Sequence, residues 1–295
     1  MKGLKGLAER ILSALGEGAE RVRAILVFGS AIMDEEPSWA SDLDVIVVLD
    51  DGCSDEELLR AWLKLSGLSQ SPRPHGLLGH LFWSIEKATG MFKTPFVCRE
   101  RDLRSLDFER IFGTSKVLSA LMAPKKIVLG SVLRTCRTIY GSPPKGLRPP
   151  GEREALELLR NLMTCFSLAF GAYFLCPLTC LALKYVLEAL KWTVYAVFYY
   201  STGGIRPLTK ILRALGSRWP WPWPRLSREF LRLRREAGPM GPLLLIALPG
   251  VLNLHLAALG HREFFSRAGR ESRRFLRSAP PAGWDRSWQR YTRPS

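Results

Sequence analysis

The sequence predicts an α/β domain over residues 1–142, then an all-α domain over 152–277 and a basic tail over 278–295. Three observations carry this division. Short β-branched runs alternate with amphipathic helical segments in the first half. A cluster of Pro and Gly from Gly141 to Gly151 reads as a linker. Beyond it, long apolar stretches repeat at helical spacing with no strand-like run.

In order, residues 4–16 place Leu4, Leu7, Ile11, Leu12 and Leu15 on one helical side, and Gly16 and Gly18 end the helix. Val22–Phe28 reads as a buried strand. A polar stretch containing Asp34, Glu35, Glu36 and Pro37 separates it from a second strand, Val45–Leu49. Ser54 followed by Asp55, Glu56 and Glu57 is a capped helix start, and Leu58, Trp62 and Leu65 carry that helix to Gly67. Residues 76–92 predict a helix, Pro95–Glu100 a third strand leading to Asp102, and 103–139 a mostly helical run. After the linker, 152–175 and 178–200 are long helices, the second with Lys184, Glu188, Lys191 and Tyr195 on one stripe.

Composition narrows the function. The 295 residues include 43 Lys plus Arg against 27 Asp plus Glu, a formal charge of +16 that favours anionic partners. From residue 201 onward there are 18 bases and 5 acids, so nearly all the surplus lies in the last third. Six cysteines without paired spacing indicate neither a zinc site nor a disulfide framework, and predict buried free thiols in a reducing, cytoplasmic setting. The N-terminal segment carries Glu9, Arg10 and Glu17 and makes a poor secretory signal. Two uncharged stretches, 162–183 and 238–260, reach membrane-spanning length. Pro177 and a polar stripe interrupt the first, and Pro239, Pro242, Pro249, Asn253 and His255 the second, which predicts buried helices and no stable membrane insertion.

The densest chemistry is Phe28-Gly29-Ser30, eleven further residues, then Asp42-Leu43-Asp44-Val45. A strand that ends in Gly-Ser offers backbone N–H groups and a hydroxyl to a phosphate, because glycine lets the main chain approach closely. The following strand opens with two carboxylates that alternation puts on one face, while Leu43 and Val45 point to the core. Such a pair suits Mg²⁺, a hard cation that keeps positions open for triphosphate oxygens. Either half alone is an ordinary turn or strand-edge acids; the combination is specific.

These residues resemble the nucleotidyltransferase superfamily of DNA polymerase beta type, which includes minimal nucleotidyltransferases and kanamycin-nucleotidyltransferase-like domains. The match covers about residues 20–50. It implies a mixed-sheet catalytic domain that moves a nucleoside monophosphate from a nucleoside triphosphate to a hydroxyl acceptor, with Gly29 and Ser30 on the triphosphate and Asp42 and Asp44 on Mg²⁺, in two ions. The family usually adds a third carboxylate from a later strand. Glu100 is the first choice and Asp102 the second, since both share parity with Phe96 and Cys98; Glu86 falls in a predicted helix. Related enzymes cover the cleft with a helical domain, which makes Lys184 and Lys191 candidate nucleotide-binding residues and a solvated helix face the plainer reading.

The acceptor stays open between an RNA end, a small molecule and a protein side chain. Arg218-Trp219-Pro220-Trp221-Pro222-Trp223-Pro224-Arg225 invites base stacking. Tryptophans two apart in a polyproline path turn away from each other, however, which favours a rigid loop plugging the helical domain. Arg228, Arg232 and Arg235 share one helical face, as do Arg267, Arg270, Arg274 and Arg277, and this pattern suits RNA or another polyanion. No Arg precedes a His by four to six residues after residue 150, so the helical domain does not resemble the toxin partner of minimal nucleotidyltransferases. The alternative reading is a nucleotide- or RNA-binding module that keeps the fold without catalysis.

Overall fold

The computed structural model describes residues 2–29, 32, 43–67, 95–144, 147–148, 154–175, 181–219, 221–236, 238–239 and 241–260. Ser30, Asp42, Glu86, the predicted helix 76–92, the arginines from Arg262 to Arg277 and the tail lie outside them. The chain divides into two compact units. One holds 1–32, 42–125 and 135–147, and the other 33–41, 126–134 and 148–295.

In the first unit, helix α1 (Lys2–Leu15) is followed by a 3-10 turn (Gly16–Arg21) and strand β1 (Val22–Phe28). Then come β2 (Asp44–Leu49), α2 (Asp55–Ser66) and β3 (Phe96–Arg99). Short helices α3 (Glu100–Arg104), α4 (Phe108–Phe112) and α5 (Lys116–Met122) lead to α6 (Lys125–Thr135) and β4 (Arg137–Gly141). The sheet order is β3-β2-β1-β4; β2 and β3 run parallel and the other pairs antiparallel, so the sheet is mixed. One face, with Ile25, Val27, Val45, Val47 and Leu49, buries Ile11 and Leu15 of α1 and Ala61 and Leu65 of α2. On the other, Phe28 stacks on Phe96 with centroids 6.2 Å apart, and Phe96 meets Phe112 of α4 edge-on at 5.0 Å.

Both strands of the motif form where their apolar runs predict. The capping box at Ser54 is also present: Ser54 Oγ accepts from the Glu57 N–H at 3.2 Å and Glu57 Oε2 from the Ser54 N–H at 2.7 Å. Two expectations change. The third strand stops at Arg99, because Glu100 begins a helix. Within the run expected to be helical to 139, residues 137–141 form a fourth strand on β1. That edge strand is mostly exposed and lacks an apolar alternation; its pairing with β1 is a tertiary contact. Gly141, at φ +64°, lies so close to the Arg23 carbonyl that a Cβ would collide with it.

The second unit is helical, with α7 (Ala155–Leu175), α8 (Leu181–Thr202), α9 (Leu208–Arg218), α10 (Trp223–Arg235) and α11 (Gly241–Gly260). Residues 126–134 of α6 group with it, which moves part of the expected first domain across the division. α11 is long and apolar enough to cross a membrane by length and composition. It packs on α7, α8 and α10, burying Leu243, Ala247, Val251, Leu254 and Ala258. Trp219 and Trp223 are buried, as a plug requires, and Trp219 Nε1 donates to Asn253 Oδ1 at 3.0 Å. The path is a turn into α10 rather than an extended polyproline stretch. The described cysteines, Cys53, Cys98, Cys136 and Cys165, are free and buried.

Candidate active site

β1 is buried through Phe28, and the chain then turns at Gly29 with φ +94°, a backbone conformation that side-chain-bearing residues rarely adopt. The Gly29 carbonyl accepts the Ile32 N–H at 3.1 Å and closes the turn. Phe28 is the cross-strand partner of Asp44, so the turn and the first carboxylate of β2 lie at the same end of the same strand pair. Asp44 is half-buried where Val45–Leu49 are buried, and Leu43 before it is exposed instead of pointing to the core, because it precedes the paired part of β2. Ser30 and Asp42 adjoin these two positions in sequence.

Glu100 and Asp102 lie elsewhere. β3 runs parallel to β2, with Phe96 beside Ile46 and Arg99 beside Leu49, so residues after Arg99 continue beyond the end of β2 opposite Asp44. Five residues of strand separate the two ends, about 17 Å at ~3.3 Å per residue. The expectation that these acids converge on Asp44 is therefore corrected by strand direction, which parity arguments do not contain. Their local roles are visible. Asp102 is buried, and its Oδ2 accepts the Arg99 N–H at 3.1 Å, capping α3. Glu100 pairs with Arg104 at 2.6 Å. Arg99 donates from Nε to the Cys53 carbonyl at 2.7 Å and from Nη2 to Asp55 at 2.5 Å, and this guanidinium holds the Asp55 carboxyl below its usual pKa.

The sequence carries no Asp or Glu from Lys87 to Arg99, and the nearest upstream acid is Glu86. Among the described residues no group of three potential metal-ligating side chains is gathered. An apolar pocket of about 210 Å³ between α2, β3 and α4, lined by Leu58, Trp62, Phe96 and Phe112 among others, includes neither Gly29 nor Asp44.

In the helical unit, Lys191 and Glu188 are both buried and paired at 2.6 Å, so the Lys191 charge is matched inside the bundle. Lys184, one turn before Glu188, is half-buried.

A solved structure of spectinomycin adenyltransferase AAD(9) from Enterococcus faecialis, with ATP and spectinomycin, superposes on 86% of this chain and 98% of its own, with a TM-score of 0.53 at 12% sequence identity. This chain has the nucleotidyltransferase fold. The likeness takes in the mixed four-stranded sheet and the helical region after it, which is the architecture the sequence predicts. No protein-family model and no curated protein matches the sequence.

Proposed function

We propose that this protein transfers a nucleoside monophosphate from a nucleoside triphosphate to a hydroxyl acceptor. The observation that carries the reading is the cross-strand pairing of Phe28 with Asp44, which sets a positive-φ glycine turn beside a half-buried carboxylate. Gly29 lets backbone N–H groups reach a phosphate, and the Ser30 hydroxyl adds a donor. Hard carboxylate oxygens at Asp44, with Asp42 two residues before it, fit Mg²⁺ in one or two ions, which would neutralise triphosphate charge and the departing pyrophosphate. The neighbouring enzyme was solved with ATP and spectinomycin, which makes ATP the first donor to try and a small hydroxylated molecule the first acceptor, with an RNA end as the second.

A second reading, nucleotide binding without transfer, is favoured by one observation: Glu100 and Asp102 follow β3 beyond the end of β2 opposite Asp44. Parallel incubations with α- and γ-labelled ATP separate the two. Transfer moves the α label to an acceptor and releases pyrophosphate. Saturable ATP binding that moves neither label establishes the second reading, and no Mg²⁺-dependent ATP binding contradicts both.

A further inference from the structure

The outer face of the α9–α10 pair is predominantly basic. These helices pack together and bury Leu212 and Leu215 of α9 and Trp223, Leu226, Phe230 and Leu233 of α10. That burial fixes which residues face out: Lys210 and Arg213 from α9, and Arg225, Arg228, Arg232 and Arg235 from α10. Within both helices no described acid is exposed; Glu229, half-buried, pairs with Arg232 at 2.9 Å, and exposed Glu236 follows the last residue of α10. A purely solvated helix face usually mixes signs, because like charges three or four residues apart repel. Here Arg225, Arg228, Arg232 and Arg235 repeat at that spacing along about 15 Å of helix.

A second observation lies at the turn between these helices. Of the three tryptophans there, Trp219 and Trp223 are buried, whereas Trp221 is 66% exposed, one turn of chain before Arg225. A large indole left mostly exposed gains little from packing, and a flat aromatic that precedes a run of arginines matches what a nucleic-acid strand presents, a base next to phosphates. Arginine suits the phosphates because its planar fork donates two hydrogen bonds at once.

We propose that this face, with Trp221 at its end, binds the phosphodiester backbone of a single-stranded nucleic acid and stacks one base on Trp221. The surface belongs wholly to the helical unit and binds whether or not the Gly29–Asp44 site transfers nucleotide. The test therefore uses the full chain carrying Asp44→Asn, without ATP or Mg²⁺, so that its outcome is independent of that reading.

Fluorescent 20-mers of single-stranded RNA and of single-stranded DNA are titrated by anisotropy over a range of salt, alongside vesicles of anionic lipid. The quadruple variant R225Q/R228Q/R232Q/R235Q should bind more weakly and flatten the log affinity against log salt slope by about 2–3, at ~0.7 per lost phosphate contact. Trp221→Ala should weaken binding about tenfold with the slope unchanged. The four-fold Arg→Lys variant should retain the slope, which separates charge loss from damage to the helix. The RNA and DNA arms identify which nucleic acid is preferred. Unchanged affinity and slope in the quadruple variant would overturn the proposal, as would wild-type binding to vesicles with none to either oligonucleotide.

Discussion

At the scale of single residues, Gly29 and Asp44 depend on each other through Phe28. The strand pair fixes Asp44 opposite Phe28, and only a residue without Cβ turns the chain at φ +94° immediately after it. Gly29→Ala should therefore strain the backbone by about 1–3 kcal/mol. We expect ATP binding to weaken by more than a melting-temperature loss of that size accounts for, as read by calorimetric titration beside a thermal melt. An effect confined to stability would mean that the turn does not touch phosphate. Much of this site is legible in the sequence, because glycine, paired acids and their spacing are local signals. The place of Glu100 and Asp102 is not, since alternation tells which face they share but not which end of the sheet they reach.

Among the elements, Glu157 and His255 tie the helical unit together. Glu157 is buried in the first turn of α7; it accepts the Lys126 N–H of α6 at 2.8 Å and the Arg160 guanidinium at 2.9 Å. Glu157→Ala leaves both donors without that carboxylate and should cost about 2–3 kcal/mol in urea unfolding. His255 of α11 is fully buried, with Nδ1 2.8 Å from the Val251 carbonyl and Nε2 2.8 Å from the Asn161 side chain of α7. Burial lowers its pKa from 6.5 to about 4. The folded state thus resists a proton that the unfolded chain accepts. Stability from this group is complete above pH 6.5 and falls as pH drops towards 4, by about 3 kcal/mol in total. Urea midpoints between pH 4 and 7 should show this decline in the wild type and a flatter profile in His255→Leu; identical profiles would contradict it. The long helices α7 and α8 follow from apolar spacing, and α2 from its capping box. β4 was hidden because a short exposed edge strand takes its conformation from β1, and no periodicity within residues 137–141 announces it.

Over the whole molecule, chemistry and charge occupy different stretches of chain. The glycine turn and paired acids lie in a nearly neutral first unit, while the excess of Arg lies in the last third, where α10 presents it outward. The surplus charge thus lies apart in sequence from the glycine turn and Asp44. The measurement that tests the central claim most directly is Mg²⁺-dependent movement of label from α-labelled ATP into a hydroxylated small molecule or RNA, by wild type and by a folded Asp44→Asn variant with an unchanged circular dichroism spectrum. Transfer by the wild type that drops by roughly 10²–10³ in the variant is the predicted result. Equal transfer by both proteins would contradict it.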